Sequence, residues 1–207
     1  EGALPVGDVV VILRDVLGAL AYAHRRGVIH RDIKPENVLL SEGGALLADF
    51  GIAKAMNDAR ASGAITATGV MVGTPAYIAP EQAVADPNID GRVDIYATGA
   101  VAYEMLIGEQ LFSGLTAHRQ LAAHAMLTPV PLAERRRDLP PALERLIMHC
   151  LEKDPRDRPP NAGAILQALD NIATAGGRVR PSAMEPVKGP GRLTSVARAL
   201  AALFKPR

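Results

Sequence analysis

Between residues 30 and 37 the chain reads His30, Arg31, Asp32, Ile33, Lys34, Pro35, Glu36 and Asn37, and shortly afterwards Asp49, Phe50 and Gly51 stand together. Asn37 and Asp49 are hard oxygen donors of the kind Mg²⁺ favours, and Lys34 is a compact point charge. With the Asp32 carboxylate beside them, such a set suits the gathering of a divalent metal and an anionic group. Taken singly, each is as readily a solvated loop side chain. The information lies in the ordered set.

Something must hold these loops. Upstream, Val9, Leu13, Val16, Leu17, Leu20 and Ala23 recur at three- and four-residue spacing, which predicts a helix over residues 9 to 26 with one buried face. Pro5 and Asp8 suit its first turn and Gly27 its stop. Val38 to Leu40 and Ala45 to Ala48 are short apolar runs separated by Ser41, Glu42, Gly43 and Gly44, which predicts a tight hairpin. That hairpin would bring Asn37 and Asp49 to one end of its strands. Residues 52 to 80 show no sustained period and read as a long loop, a length that is usually functional or disordered. Helical patterns return at Val93 to Ile107, Thr116 to Met126, Pro141 to Leu151 and Ala162 to Ile172. The expected fold class is mainly α with a small β-hairpin, an α+β arrangement. A domain over residues 1 to 174 is followed by a linker at 175–191, rich in Gly, Pro and charge, and a tail at 192–207.

His30 to Asn37 (HRDIKPEN), then Asp49 to Gly51 (DFG), then Gly73 to Glu81 (GTPAYIAPE) resemble the catalytic segment of protein kinases, in order and at fitting spacing. The resemblance covers about residues 1 to 174 and implies the C-terminal lobe of a bacterial-type serine/threonine kinase. In phosphoryl transfer most of the work is positioning and neutralisation of charge. The resemblance makes Asp32 the catalytic base, Lys34 the charge beside the transferred group, and Asn37 and Asp49 the ligands of Mg²⁺ or Mn²⁺. It gathers Lys34, Glu36, Asn37, Leu39 and Asp49 around ATP, with Leu39 as the floor of the adenine pocket. His30 and Phe50 are packing residues in that family. The Ile-Lys-Pro-Glu-Asn run after Asp32, with Thr74 able to bond the base and the lysine, implies Ser or Thr as the acceptor.

Arg31, directly before Asp32, would be costly to bury without an anionic partner. A phosphothreonine supplies one. Thr66 and Thr68 resemble paired activation-loop threonines, Ser62 being the weaker candidate, and Lys54 could share the phosphate. Asp94 resembles the carboxylate that accepts backbone N–H groups from the catalytic loop, and Glu81 is expected to pair with Arg158. Tyr96 stands where many animal kinases carry Trp, which together with Pro87 to Arg92 looks bacterial; Ala97 departs from the usual Ser. Cys150, among Leu146, Ile147 and Leu151, reads as a buried apolar thiol.

Composition narrows the classes. The 207 residues are 48% hydrophobic and carry 23 Lys plus Arg against 22 acidic residues, a net charge of +1, so no overall field recruits nucleic acid. One cysteine forms no internal disulfide and suggests a reducing, cytoplasmic setting. No apolar run approaches the roughly 20 residues of a membrane span. In the tail, Leu193, Val196, Leu200, Leu203 and Phe204 share a helical face ringed by Arg192, Arg198, Lys205 and Arg207. That segment could touch an anionic membrane surface, or lead to a span beyond residue 207. The chain contains no Gly-x-Gly-x-x-Gly loop and no strand lysine of the V-A-I-K type. It therefore reads as a piece of a longer enzyme whose N-terminal lobe lies before residue 1, poorly active by itself. Protein substrates are expected partners, as is a second copy for autophosphorylation in trans. The other reading is a non-catalytic kinase-like module that binds partners through residues near Phe112 to Leu121 and the tail, a reading disfavoured by the intact Asp32, Asn37 and Asp49.

Overall fold

Helix α1 runs from Val6 to His24 and buries Val9, Leu13, Val16, Leu17 and Leu20 along one face, as the spacing predicts. It begins three residues before the first apolar-periodic position, because Pro5, at φ −57°, leads directly into the helix. This computed structural model describes residues 2–41, 44–50 and 75–175. Lys54, Ser62, Thr66, Thr68, Gly73 and Thr74, and the tail from residue 192, lie outside them.

The hairpin pairs β1 (Val38–Ser41) with β2 (Gly44–Leu47) in antiparallel register, Val38 opposite Leu47 and Leu39 opposite Leu46. Alternation gives it two faces. Val38 and Ala45 are buried, and β2 packs on α1. Leu39 and Leu46 point the other way and are 51% and 61% exposed. The apolar floor expected at Leu39 is thus a bare two-leucine surface.

The remaining elements among the described residues are helices joined by loops: α2 (Pro80–Ala83), α3 (Arg92–Ile107), α4 (Ala117–Met126), α5 (Leu132–Arg135), α6 (Pro141–Cys150) and α7 (Ala162–Ala175). The stretch read as loop up to residue 80 in fact ends in a 3₁₀ turn at Pro75–Tyr77 and the start of α2. Helix α5 was likewise not foreseen. Elements of three or four residues are too short to display a period.

Helix α3 is the axis of the core. Every residue from Val93 to Leu106 is buried, so it has no solvent face to alternate with an apolar one. It packs against α1 on one side and α6 on another. The α6 contact depends on Gly99, where a Cβ would come within 2.9 Å of the Cys150 Cβ. Gly108 ends α3 in the left-handed region at φ 83°, returning its N–H to the Glu104 carbonyl at 2.7 Å. Helix α7 packs on α1 and closes the core.

Candidate active site

The loop between α1 and β1 is shaped by its own hydrogen bonds. Asn37 donates its side-chain N–H to the Asp32 carbonyl at 2.8 Å and, more weakly, to Asp32 Oδ2 at 3.4 Å. Lys34 Nζ donates to Asp32 Oδ2 at 2.8 Å, with both side chains 34% exposed. The Asp32 carboxylate therefore faces solvent with a cation at its side. A charge-assisted bond of this kind is strong yet leaves the carboxylate accessible.

The strand ends bring in Asp49. The N–H of Ala48 donates to the Asn37 carbonyl at 2.8 Å, extending the β1–β2 ladder by one bond. Asp49 is the next residue, exposed at the same edge. His30 joins the Asp32 loop to the end of β2: its Nε2–H donates to the Ala48 carbonyl at 2.9 Å, and its Nδ1 accepts the Asp32 N–H at 3.3 Å. The His30 ring also rests on Phe50, centroids 4.7 Å apart. Asp32 and Asp49 thus stand at one rim, with Asn37, 5% exposed, and the fully buried His30 beneath them and Phe50 against the His30 ring. Glu36 lies exposed in the 3₁₀ turn at Pro35–Asn37.

Two of these positions carry backbone strain. Arg31 sits at φ 66° and Asp49 at φ 53°, a region that side chains other than glycine's rarely occupy. Each costs on the order of 1–3 kcal/mol and persists only where the surroundings hold it. At Arg31 the holder is visible. Asp94, at the start of α3 and fully buried, accepts the N–H of His30 and the N–H of Arg31, both at 2.8 Å, and the Nε2–H of His24, also at 2.8 Å. From the other side Gln82 donates its side-chain N–H to the Arg31 carbonyl at 3.0 Å.

Arg158 and Glu81 tie the segment after the 75–77 turn to the core. The guanidinium grips the carboxylate through two bonds of 2.7 and 2.8 Å, and also donates to the carbonyls of Arg92, Glu152 and Lys153. Arg158 is 3% exposed and Glu81 8%. A buried pair so completely bonded offsets its desolvation; breaking it does not.

Residues outside the sequence reading also border the rim. Tyr77 donates its hydroxyl to Glu104 Oε2 at 2.7 Å, both groups being buried. Burial pushes the Glu104 carboxyl up to about 7, with the Glu36 charge adding to that and the Tyr77 bond opposing it. An acid near the end of an otherwise apolar helix was the signal in the sequence for Glu104. His24 and Gln82 gave none, since a helix-end histidine and a glutamine in a four-residue helix are ordinary. Cys150 is buried, and burial pushes its thiol up to about 12, the inert state expected of it.

The donor set fits Mg²⁺. Among the described residues no group of three or more His, Cys, Asp or Glu side chains could hold a metal unaided. Mg²⁺ asks for less, because it retains waters and shares the phosphate oxygens of its nucleotide, needing only one or two protein donors. Asn37 commits its amide nitrogen to Asp32, so its side-chain oxygen would be the atom offered to a metal, and Asp49 would supply the carboxylate.

Comparison with known proteins agrees with this geometry. A family model described as the protein kinase domain matches residues 1–169. The chain is similar to the serine/threonine-protein kinase PknL of Mycobacterium tuberculosis, 43% identical over 175 residues that make up 84% of this chain and 42% of that protein. It is 41% identical over 180 residues to the serine/threonine-protein kinase pkn3 of Myxococcus xanthus, covering 82% of this chain and 33% of the other. Against the serine/threonine-protein kinase PknB of Mycolicibacterium smegmatis it is 36% identical over 159 residues, 76% of this chain and 25% of the relative. The chain therefore spans less than half the length of these relatives. Since the family match runs through the Asp32 loop, the hairpin and the helices that anchor them, the chain belongs to the protein kinase domain family.

Proposed function

We propose that the protein containing this chain transfers the γ-phosphoryl group of ATP to Ser or Thr residues of proteins, and that this chain supplies the catalytic loop and the metal ligands. The observation that carries the reading is the bonded series Lys34–Asp32–Asn37, joined through Ala48 to Asp49, in which Lys34, Asp32 and Asp49 reach solvent and Asn37 is buried between them. Asp32 orients the acceptor hydroxyl and takes its proton as the oxygen bonds to the γ-phosphorus and ADP leaves. Lys34, held at Asp32, adds positive charge where negative charge develops. Asn37 and Asp49 hold Mg²⁺, which when bound neutralises the phosphate oxygens. Leu39, bare on the hairpin, offers an apolar surface for the adenine ring, and Glu36 lies at the edge of the same loop.

Activation is proposed to run through Thr66 and Thr68, with Arg31 and Lys54 pairing the phosphate. Replacing both threonines by Ala is expected to lower activity of the intact protein; activity unchanged after verified loss of the phosphate would remove this part. The isolated 207-residue chain, lacking a Gly-rich loop and strand lysine in its sequence, is expected to transfer phosphate poorly. The decisive experiment supplies γ-labelled ATP, Mg²⁺ and a protein acceptor to the intact protein and to its Asp32→Asn variant. Phosphoserine or phosphothreonine from the parent alone is the expected result. Equal, background incorporation by both would leave a non-catalytic binding module in its place.

A further inference from the structure

Asp49, at φ 53°, must be held by its surroundings, as Arg31 is held by Asp94. It stands two residues past the end of β2, a strand of a two-stranded sheet. A lone hairpin is marginal in water, so its pose is set by what it packs on. Here that is α1: β2 packs on it, with Ala45 buried and Leu47 partly buried. Apolar contact of this kind is non-directional and resists rolling poorly.

One directed bond supplements that packing. Asp15, half-buried on α1, accepts the Ala45 N–H through Oδ2 at 2.7 Å, the one side-chain hydrogen bond between α1 and the hairpin among the described residues. The ladder leaves that N–H available. Ala48 donates to the Asn37 carbonyl, and alternation along an antiparallel pair then makes Leu39–Leu46 a hydrogen-bonded pair and Leu40–Ala45 a non-bonded one, with the Ala45 N–H pointing away from β1. Gly44 clears the approach. It sits at φ 150°, and a Cβ there would overlap the Asp15 carboxylate, so the bond requires glycine at this place in the strand.

We propose that Asp15 is a positioning residue for the metal ligand Asp49. Strand β2 has two fixed points: Ala45, on Asp15, and Ala48, whose carbonyl accepts from His30 and whose N–H donates to Asn37. Asp49 follows the second directly, so its left-handed backbone is kept only while β2 cannot roll to relax it. The loop bearing Asp32 is fixed elsewhere, by Asp94 on the N–H groups of His30 and Arg31. Releasing Asp15 therefore weakens metal binding and spares the carboxylate that meets the acceptor hydroxyl. This rests on the kinase reading.

The test loads the intact protein with Mn²⁺ and a non-hydrolysable ATP analogue and reads the metal's dissociation constant by water-proton relaxation. Asp15→Ala is expected to raise that constant about fivefold, the loss of one hydrogen bond, while the dissociation constant of adenosine, which needs no metal, and the peptide KM stay within about twofold. Gly44→Ala keeps the carboxylate but blocks its path to Ala45, and is expected to weaken the metal likewise. Asp15→Asn, which retains an acceptor, recovers most of the loss. An unmoved metal constant in either folded variant, Asp15→Ala or Gly44→Ala, overturns the proposal. So does an equal loss for adenosine, which would mean that the whole hairpin had shifted. Amide exchange in the intact protein reads the bond separately: the Ala45 N–H is expected to exchange about tenfold faster in Asp15→Ala, and an unchanged rate overturns the proposal even in an active kinase. A parent protein that takes up neither metal nor nucleotide, with the Ala45 N–H still protected through Asp15, defeats the kinase reading instead.

Discussion

Asp32 and Lys34 each leave 34% of their side chains exposed, whereas Asp94, which holds the backbone just before them, is 0% exposed with three hydrogen bonds on its carboxylate. Apart from the buried Asn37 the rim is wet, and it is strained, with left-handed backbone at Arg31 and Asp49; the anchors at Asp94, Glu81 and Arg158 are dry and saturated with partners. The difference separates two tasks. Asp32 and Lys34 must stay open to meet a substrate, so their geometry is imposed from below by groups that are buried, Asn37 among them. Losses at the rim should fall on rate, and losses at the anchors on stability.

The largest effect expected is on rate. In the intact protein Asp32→Asn is expected to reduce phosphoryl transfer by about 10²–10⁴-fold, with the urea midpoint nearly unchanged. A variant that unfolds instead would erase the distinction between rim and anchor. Arg158→Met strands the buried Glu81 carboxylate and should cost about 3–5 kcal/mol in urea unfolding. A loss under about 1 kcal/mol would show that the pair is not an anchor.

Between the two regions stands Glu104, buried like an anchor yet bonded to the 75–77 turn. Its carboxyl, pushed up to about 7 chiefly by burial, keeps its proton in the folded state at pH values where the unfolded chain, near 4.5, has released it. This contribution is therefore fully present below about pH 4.5 and fades as pH rises through 7. Urea midpoints of the parent and of Glu104→Gln measured from pH 4.5 to 7.5 should converge or cross, the parent losing up to a few kcal/mol relative to the variant. Parallel curves would mean that Glu104 titrates as a solvated acid. The smallest effect belongs to Arg14 and Asp170, an ion pair on the α1–α7 surface whose side chains are 39% and 64% exposed. Arg14→Ala should cost under about 1 kcal/mol by the same unfolding measurement.

Much of the site was legible from residue types. HRDIKPEN and DFG name their own roles by resemblance, and the hairpin between them is short enough to be read from two apolar runs and the Ser-Glu-Gly-Gly that separates them. Resemblance also singled out Asp94 and the Glu81–Arg158 pair. It did not reach His24 on the Asp94 carboxylate, Gln82 on the Arg31 carbonyl, or Tyr77 on Glu104. Each joins residues distant in sequence whose types are unremarkable where they stand.

The chain by itself determined the helices that carry an amphipathic period, the hairpin, and the identity of the chemical groups, because all of these are written in neighbours a few residues apart. Tertiary structure alone decided which carboxylate is wet and which is dry, how the left-handed Arg31 is held, and which buried polar groups meet across the core, as Lys153, Tyr96 and His124 do. Burial and hydrogen-bond direction are properties of surroundings assembled from several elements, and no local pattern of residues encodes them.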